Sequence, residues 1–511
     1  MDRLEPTHPV GVIGGGTMGA GIAQVALLAG HRVLVHDADP TVAKRAVDAI
    51  TGRLDRLVAK GKLEPWARAW AVDRLAVAET VAHLAPCALV IEAVTESLAV
   101  KRAVFAAVET AVSAETVLAT NTSSLSVTAI AAELARPERL VGLHFFNPAP
   151  LLPLVEVVSG LATAPAVADL AYNTVQAWGK VPVRTRSTPG FIVNRIARPF
   201  YGEALRACEE NVADPATLDA VFRESGGFPM GPLELVDLIG LDVNLAVSES
   251  VWAAFGQDPR YAPSPVQREY VAAGWLGRKT GRGFYRYGSK EARPEPTLRP
   301  AAGTPPERVE VHGGLGPASE LVALAREAGV EVVEAVPGSP TSGQLVLADG
   351  TPLLLTDGAL ASWHAARRGR PVVLFDLALD YRTASLVALA PSTDCPPESL
   401  ALATAFFQAL GKRVAVVRDT PGLLVARTVA RLVNEAHQAL EEQVASAADL
   451  DLAMVHGVNY PLGPLAWGER LGAWWVRQLL KRVGRVYADG RYRCSVGLER
   501  AAQADRAESV T

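Results

Sequence analysis

The sequence predicts an α/β protein: a domain built on a parallel sheet, an all-α domain after it, and a degenerate second copy of both. Three observations lead to this prediction. A glycine-rich turn follows a short apolar strand near the N-terminus, and the segment after Thr188 keeps its apolar residues at helical spacing. The stretch "TPGFIVNR" at 188–195 returns as "TPGLLVAR" at 420–427. A chain of 511 residues has room for roughly three to four domains.

The first element is a strand–turn–helix–strand unit in "VGVIGGGTMGAGIAQVALLAGHRVLVHDAD". Gly14, Gly16 and Gly19 occupy the G-x-G-x-x-G positions. They allow a tight turn, a close approach of the backbone to a pyrophosphate, and close packing of the helix on the strand. Asp37 follows the second strand, where a carboxylate accepts both ribose hydroxyls and repels a 2′-phosphate. This unit predicts a Rossmann-type domain that binds NAD in preference to NADP.

Polar residues follow or interrupt the later strands of this domain. Glu92 and Glu96 follow one buried strand, and a polar run at 121–124 follows the next. His144 lies in "LHFF" and Glu156 in "LVEVV", where apolar neighbours would make an unpaired carboxylate unfavourable. Pairing would hold a neutral imidazole at one nitrogen and leave the other nitrogen able to accept a proton. We therefore expect His144 and Glu156 to form a general-base pair.

Six segments together resemble the L-3-hydroxyacyl-CoA dehydrogenase family: "GGGTMGAGIAQV", "NTSSLSV", "HFFNPAPLLPLVEVV", "TPGFIVNR", "FPMGPLELVDLIGLD" and "GRKTGRGFYRY". The resemblance covers about the first 288 residues. The combination of "HFFNP" with "GFIVNR" is highly specific, because two rare segments occur at the family's spacing. The resemblance implies NAD-dependent oxidation of an L-3-hydroxyacyl-CoA to the 3-ketoacyl-CoA.

The resemblance also implies roles for individual residues. His144 would remove the hydroxyl proton, and Glu156 would orient its imidazole. Ser123 and Asn194 would hydrogen-bond the substrate oxygens and the cofactor. The positions that match NAD contacts, besides the three glycines, are Asp37, Glu96, Lys101, Ser123 and Lys279. No metal is expected in this chemistry.

Substrate contacts are less sharply indicated. Lys60 and Lys62, in "RLDRLVAKGKL", are candidates for contacts with coenzyme A, and ordinary solvated lysines are the alternative. With a length near 500 residues and a decayed second unit, the chain resembles the family members of bacterial phenylacetate breakdown that oxidise 3-hydroxyadipyl-CoA. An enzyme that acts on 3-hydroxybutyryl-CoA is the alternative. Another NAD-dependent β-hydroxyacid dehydrogenase and a non-catalytic NAD-binding protein are the competing interpretations.

The second copy follows a proline-rich linker. Residues 232 positions apart match, as Gly190 matches Gly422 and Pro229 matches Pro461 (422 − 190 = 232). At this offset the catalytic candidates change type: His144 corresponds to Asp376, Glu156 to Ala388 and Asn194 to Ala426. We therefore interpret the second copy as a structural pseudo-subunit that forms an intramolecular pseudo-dimer with the first; further homo-oligomers stay open.

The pattern predicts the following domain boundaries: 1–186 NAD-binding Rossmann domain, 187–288 helical domain, 289–308 linker, 309–413 degenerate Rossmann-like domain, 414–500 second helical domain and 501–511 tail.

Composition limits the partners. The net charge of −4, from 50 basic and 54 acidic residues, implies no basic surface and therefore no nucleic-acid partner. The four cysteines are scattered, without metal or redox spacing, which is typical of a reducing compartment. The N-terminus has no apolar signal segment, and no apolar run approaches the roughly 18 residues that span a bilayer. A cytoplasmic protein without a membrane partner is expected.

Overall fold

The computed structural model describes residues 2–288, 294–301, 303–335 and 343–508. The strands are β1 Val10–Ile13, β2 Val33–His36, β3 Leu75–Val77, β4 Leu89–Glu92, β5 Val117–Thr120, β6 Leu140–Phe145, β7 Leu154–Ser159, β8 Val181–Arg186, β9 Arg308–His312, β10 Glu331–Glu334, β11 Gln344–Val346, β12 Pro352–Leu355, β13 Val373–Phe375, β14 Leu386–Pro391 and β15 Arg413–Val416. The α-helices are α1 Thr17–Leu28, α2 Pro40–Ala59, α3 Pro65–Asp73, α4 Leu98–Ala111, α5 Val127–Ala131, α6 Pro165–Ala177, α7 Val193–Ile196, α8 Arg198–Glu209, α9 Pro215–Glu224, α10 Pro232–Ile239, α11 Leu241–Ala254, α12 Pro265–Ala272, α13 Glu320–Glu327, α14 Ala361–Arg368, α15 Pro397–Ala409, α16 Val425–Glu441, α17 Ala447–Val458, α18 Pro464–Leu471, α19 Ala473–Tyr487 and α20 Val496–Glu508. Part of the predicted linker, at 289–293 and 302, lies outside the described residues.

The first compact unit consists of Met1–Arg195 together with Glu442–Val458. Its sheet has the strand order β3-β2-β1-β4-β5-β6-β7-β8, and only the β6–β7 pair is antiparallel. Strand order reverses where β1 lies between β2 and β4, the place where open α/β sheets bind ligands beyond the carboxyl ends of their strands. The predicted Rossmann-type fold is confirmed.

Burial on both faces explains why these strands are apolar runs. All residues of β1, β4 and β5 are buried, because helices cover the sheet on both sides. One buried cluster contains Val10 and Val12 of β1, and another, on the opposite side, contains Ile13 and Val90. Alternation along the strand therefore sorts the side chains between two cores.

A helix from the second half of the chain belongs to this first unit. Helix α17 packs on β7 and β8. The backbone N–H of Arg186 donates to the carbonyl of Val444 at 2.9 Å, which continues the β8 edge into the segment before α17. Gly457 lies so close to the sheet that an added Cβ would be 2.6 Å from Leu154 Cδ2. The second copy therefore supplies part of the first copy's core.

The second compact unit consists of Ile196–Glu441 and Asn459–Thr511. Its sheet has the order β10-β9-β11-β12-β13-β14-β15, with antiparallel pairs at β9–β11, β11–β12 and β13–β14. Helices α8 to α12 of the first copy and α16 and α18 to α20 of the second lie here, and α8 packs on α16. The second sheet thus keeps the antiparallel pair that corresponds to β6–β7 but loses the regular parallel order of a dinucleotide-binding sheet.

The second unit mirrors the helix contribution seen in the first. Helix α9 of the first copy packs on β14, and the backbone N–H of Arg418 donates to the carbonyl of Val212 at 3.0 Å. Arg418 and Val212 correspond, at the 232-residue offset, to Arg186 and Val444. Each copy therefore donates the same backbone hydrogen bond to the other copy.

The prediction of a tail from residue 501 is wrong, since α20 continues to Glu508. Helix α20 packs against α16 and α19, and Leu498 and Ala502 are fully buried. The helix was missed because its only apolar residues larger than alanine are Val496 and Leu498, at its start. In the described part of the chain, no helix combines the length and apolarity needed to cross a membrane.

Candidate active site

The glycine triplet forms the turn between β1 and α1. Gly14 has φ +102°, and an added Cβ would be 2.5 Å from the carbonyl oxygen of Ala93. A Cβ on Gly19 would be 1.8 Å from the carbonyl oxygen of Gly14, so the helix could not begin so close to the strand. The Cβ position of Gly16, by contrast, has no atom within 4 Å among the described residues. The surface at Gly16 is therefore open to the close approach that a pyrophosphate needs.

Asp37 lies just after β2, where its carboxylate is held by backbone groups. Oδ2 accepts a hydrogen bond from the N–H of Gly15 at 2.7 Å, and Oδ1 accepts one from Asp39 at 3.0 Å. The carboxylate is thus tied to the glycine-rich turn itself. This placement fits a residue that contacts the ribose of a bound dinucleotide.

The expected pairing of His144 with Glu156 is present in the structure. His144 on β6 and Glu156 on β7 are opposite each other in the antiparallel register, and Nδ1 lies 2.5 Å from Oε2. Glu156 is fully buried and His144 is 5 % exposed. The other oxygen of Glu156 accepts hydrogen bonds from the N–H groups of Ile192 and Val193, both at 3.0 Å. One carboxylate therefore orients the imidazole and anchors the start of α7.

The second nitrogen of the imidazole, Nε2, forms no hydrogen bond to any described residue. Two aromatic rings flank the imidazole: Phe146 at 4.4 Å and Phe191 at 5.9 Å between ring centroids. These rings limit the directions from which a polar group can approach. The pair can accept a proton at Nε2 while Nδ1–H donates to Glu156.

Ser123 and Asn194, predicted to bind the substrate, lie together. The side-chain amide of Asn194 donates to the carbonyl oxygen of Ser123 at 3.2 Å, and both residues are half-buried. Asn121, whose role the sequence did not indicate, accepts a hydrogen bond from the backbone N–H of Phe145 at 2.9 Å. This bond fixes the end of β5 next to the residue that follows His144.

Glu96 organises the loop after β5. Its Oε1 accepts hydrogen bonds from the hydroxyl of Thr122 at 2.7 Å and from the backbone N–H groups of Ser123 and Ser124. Burial opposes ionisation, but Lys101 and these hydrogen bonds lower the pKa of Glu96 below its usual range. Glu96 is therefore ionised at neutral pH and holds Ser123 in place.

Lys101 differs from a simple cofactor contact. It is 1 % exposed, and its ammonium lies 2.7 Å from Glu92 and 3.3 Å from Glu96. Glu92, fully buried, also accepts a hydrogen bond from the hydroxyl of Thr120. Lys101 and Glu92 thus form a buried pair that supports Glu96. The predicted contact between Lys101 and NAD stays a prediction.

Lys60, but not Lys62, lines a cavity of about 290 Å³ next to the glycine-rich turn. The walls come from α1, α2 and the loop after β6, and they include Thr17, Gly21, Arg53, Arg56 and Asn147. Arg53 is fixed by hydrogen bonds to the side chain of Gln24 at 2.6 Å and the carbonyl of Ala20 at 3.1 Å. The two arginines were missed because helical spacing alone does not show which face of α2 meets α1.

Lys279 lies in the second unit, where its ammonium bonds both carboxylate oxygens of Asp242 at 2.5 and 2.7 Å. Its predicted role in binding NAD stays a prediction. Throughout the described residues, no group of three or more His, Cys, Asp or Glu side chains could hold a metal ion.

The sheet topology, the glycine-rich turn and the buried histidine–carboxylate pair define a nucleotide-binding dehydrogenase. Family profiles assign its parts: residues 9–188 match the 3-hydroxyacyl-CoA dehydrogenase NAD-binding domain, and 190–287 and 422–511 both match the C-terminal domain. Residues 353–421 match a reduced Rossmann-fold domain of 3-hydroxybutyryl-CoA dehydrogenase. The chain belongs to the 3-hydroxyacyl-CoA dehydrogenase family, which is a family of NAD-dependent oxidoreductases.

Individual relatives agree with this assignment. The chain is 45% identical to the 3-hydroxyadipyl-CoA dehydrogenase of Escherichia coli, over 96% of this chain and 97% of the relative. It is 42% identical to a 3-hydroxybutyryl-CoA dehydrogenase of Bradyrhizobium diazoefficiens, over 56% of this chain and 97% of that protein. The crystal structure of an E. coli 3-hydroxybutyryl-CoA dehydrogenase superposes with a TM-score of 0.89 at 43% identity, covering 98% of this chain and 99% of that one. The predicted family, cofactor and tandem arrangement are confirmed.

Proposed function

We propose that this dehydrogenase uses His144 as its general base, with Glu156 as the residue that orients it, and that its substrate is 3-hydroxyadipyl-CoA. The observation that carries the proposal is the buried pair itself: Nδ1 of His144 faces Glu156 at 2.5 Å, while Nε2 has no partner among the described residues. A buried carboxylate stabilises the imidazolium that forms when Nε2 takes the proton of the 3-hydroxyl. NAD held at the glycine-rich turn would supply the acceptor for the hydride that leaves the carbon bearing this hydroxyl.

Ser123 and Asn194 complete the proposed site. Glu96 holds the backbone of Ser123, and Asn194 is held by its bond to the Ser123 carbonyl. Their remaining hydrogen-bonding groups are the ones we assign to the substrate oxygens. Because these two residues are tied to each other, the hydroxyl would be oriented before the proton leaves, which lowers the entropic part of the barrier.

The cavity beside α2 is the proposed site for the phosphate groups of coenzyme A. Arg53, Arg56 and Lys60 place three cationic side chains around it. Guanidinium and ammonium groups are the usual partners of phosphate. Lys62 is absent from the lining residues, so we assign the contact to Lys60.

The choice of acyl chain is supported by the full-length relative that is a 3-hydroxyadipyl-CoA dehydrogenase. We expect kcat/KM for 3-hydroxyadipyl-CoA to exceed that for 3-hydroxybutyryl-CoA by about 10- to 100-fold, the range that one charge-assisted contact to a carboxylate provides. Steady-state kinetics with both thioesters and NAD measures this ratio. A ratio of one or below would assign the chain to the shorter substrate.

We also infer that the two copies form an intramolecular pseudo-dimer. Each copy gives one helix to the sheet of the other, α17 to the first and α9 to the second. Ion pairs repeat the pattern: Arg195 pairs with Glu442 in the first unit, and Arg427 with Glu210 in the second, at the 232-residue offset. In a two-fold interface, each contact between two residues is repeated by the equivalent residues with the two copies exchanged.

This arrangement predicts that a change in the second copy damages the first. In Gly457→Val the new side chain collides with Leu154, which would lie 2.6 Å from the Cβ, and with Val193 at 3.1 Å. Leu154 precedes Glu156 on β7, and Val193 precedes Asn194. We expect a stability loss of about 1–3 kcal/mol and a lower kcat. Thermal unfolding and steady-state kinetics measure these effects.

The matched control is Gly484→Ala, at a helical glycine whose Cβ would meet nothing closer than 3.6 Å. This variant should be stabilised by about 0.5–1 kcal/mol and should keep its kcat. Wild-type stability and turnover in Gly457→Val would contradict the packing of α17 on the catalytic strand.

A further inference from the structure

A buried carboxylate at the end of strand β4, that of Glu92, takes no part in the proposed proton transfer. Glu92 is the last residue of β4 and lies between the ends of β1 and β5 in the parallel register. A carboxylate in the centre of a sheet loses its hydration and needs hydrogen-bond donors from the protein. The donors that surround Glu92 therefore show which parts of the first unit it holds together.

Three donors from three different elements surround the Glu92 carboxylate. Oε1 accepts hydrogen bonds from the N–H of Val94, in the loop after β4, and from the ammonium of Lys101, on α4, both at 2.7 Å. Oε2 accepts a hydrogen bond from the hydroxyl of Thr120, the last residue of β5, at 2.8 Å. One carboxylate thus joins the ends of two neighbouring strands to helix α4.

Two chains of hydrogen bonds run from these donors to the loop that carries Ser123. In the first chain, the ammonium of Lys101 lies 3.3 Å from Glu96, whose Oε1 accepts a hydrogen bond from the N–H of Ser123 at 2.9 Å. In the second chain, the hydroxyl of Thr120 accepts a hydrogen bond from the N–H of Thr122 at 3.3 Å. The hydroxyl of Thr122 then donates to the same oxygen of Glu96 at 2.7 Å. Both chains therefore end at the carboxylate that holds Ser123.

The second copy shows that a strand pair of this kind does not need a polar group here. Thr120 pairs with Gly142 of β6, and Leu354 pairs with Leu374 of β13. Gly142 and Leu374 match at the 232-residue offset, so Leu354 is the counterpart of Thr120. On its other side β12 pairs with the antiparallel strand β11, so no parallel strand of the described second sheet stands where β4 carries Glu92. The copy without the catalytic residues fills this position with leucine.

Stability alone does not explain the buried charges. Glu92 is 0 % exposed and Lys101 is 1 % exposed. Apolar side chains of similar volume in place of a buried ion pair often leave stability unchanged or raise it, because both charges lose their hydration on burial. Charged and hydroxyl contacts are directional, however, and they favour a single arrangement of the groups that make them. The network around Glu92 therefore serves the placement of the loop after β5.

We propose that Glu92 is a positioning residue for the dehydrogenation: it fixes the loop of residues 122–124, and thereby the place of the substrate hydroxyl relative to His144. Glu92 itself touches neither substrate nor cofactor. The proposal rests on the proposed function in one respect, the contact of Ser123 with a substrate oxygen. A shift of about 1 Å in such a contact lowers the rate of the chemical step by up to about 100-fold.

The test compares two variants of the full-length protein that lose the same kind of charge. Glu92→Gln keeps the shape of the side chain and removes the charge that faces Lys101. The matched control is Glu109→Gln, on the same helix as Lys101, where the carboxylate lies 3.2 Å from the guanidinium of Arg139. Both variants break a carboxylate–cation pair of the first unit, and only Glu92 is joined to the loop of Ser123.

The first measurement is hydrogen–deuterium exchange of the peptide that contains residues 122–124. We expect exchange in this peptide to be faster by about tenfold or more in Glu92→Gln, because its N–H groups lose a fixed acceptor. Exchange in Glu109→Gln should match the wild type. This measurement needs no turnover, so it reports on the loop independently of the reaction.

The second measurement is kcat with the thioester that the wild type oxidises faster, with hydrogen or deuterium at C3. We expect Glu92→Gln to lower kcat by about 10- to 100-fold and to increase the isotope effect, because a misplaced hydroxyl slows the step in which hydride leaves C3. A smaller fraction of folded protein would lower the measured kcat without changing the isotope effect. Thr120→Val breaks only the second chain of hydrogen bonds; it should show the same changes at a smaller size, and it decides the question if Glu92→Gln does not fold.

The proposal is overturned if residues 122–124 exchange at the same rate in Glu92→Gln and Glu109→Gln, or if these two variants have the same kcat and isotope effect. Turnover of Ser123→Ala at the wild-type rate would count instead against the role of Ser123 in the proposed function. Slow turnover and fast exchange in Glu92→Gln would then show that the loop acts through another of its groups, and Glu92 would remain its positioning residue.

Discussion

Replacing His144 by glutamine is expected to lower kcat by about 10²- to 10⁴-fold, the range that general-base catalysis contributes. Glutamine keeps a polar group next to Glu156 but cannot take a proton at the position of Nε2. The affinity for NADH should stay close to that of the wild type, because the glycine-rich turn and Asp37 follow other strands, β1 and β2. Steady-state kinetics gives kcat, and fluorescence titration gives the Kd for NADH.

The matched control is His31→Gln. His31 is also buried in the first unit, where it accepts a hydrogen bond from the indole N–H of Trp178 at 2.9 Å, away from the catalytic pair. This variant should lose some stability and keep most of its kcat. Near-normal turnover in His144→Gln would remove His144 from the mechanism, whereas equal losses in both variants would show that the effect is only structural.

Glu156 explains why the pair was predictable from sequence. A carboxylate inside "LVEVV" has to be satisfied, and the antiparallel register places His144 directly opposite. The local pattern therefore contained both partners. The further hydrogen bonds that Glu156 accepts from Ile192 and Val193 could not be predicted from the sequence. They join β7 to a helix that begins more than 30 residues later in the chain.

Lys101 has contacts that residue-by-residue matching does not reveal. Its predicted contact with NAD stays a prediction, and the structure adds that its ammonium lies between Glu92 and Glu96. Its environment depends on how the ends of β4 and β5 meet the start of α4. Sequence spacing does not determine that distance, so the supporting role of Glu92 could be found only from the structure.

The exchange of α9 and α17 between the copies lay beyond sequence reasoning for a different reason. The 232-residue repeat indicates two similar folding units, but it does not say which copy's helix covers which sheet. The same apolar faces are buried whether a helix covers the sheet of its own copy or the sheet of the other copy. The packing of α17 on β7 and β8 and of α9 on β14, with the hydrogen bonds of Arg186 to Val444 and of Arg418 to Val212, distinguishes them.

Asp376 makes in the second copy the anchoring contact that Glu156 makes in the first. The offset matches Asp376 with His144 and Ala388 with Glu156, so the second copy has no pair. The structure nevertheless places Asp376 at the start of α16, where it accepts hydrogen bonds that correspond to those of Glu156 at the start of α7. A carboxylate beneath the start of this helix accepts hydrogen bonds from backbone N–H groups of the helix start. In the second copy Asp376, which follows β13, supplies that carboxylate.

We therefore expect Asp376→Ala to destabilise the second unit strongly. The carboxylate accepts hydrogen bonds from four backbone N–H groups, those of Leu377, Leu424, Val425 and Ala426, at 2.8 to 3.1 Å. Alanine would leave these donors buried without an acceptor, and each such group costs about 1–3 kcal/mol. The losses do not add fully, so a total of about 3–5 kcal/mol is expected. Urea unfolding followed by tryptophan fluorescence measures the shift in midpoint.

The control is Asp394→Ala, which removes an exposed carboxylate from the same sheet domain and should change stability by less than about 0.5 kcal/mol. Asp376→Asn separates charge from hydrogen bonding, because an amide oxygen can still accept bonds while its NH₂ group faces the N–H donors. Its loss should lie between those of alanine and wild type. If Asp376→Ala unfolds at the wild-type urea concentration, the four bonds contribute nothing net, and the second copy keeps its aspartate for a reason other than anchoring α16.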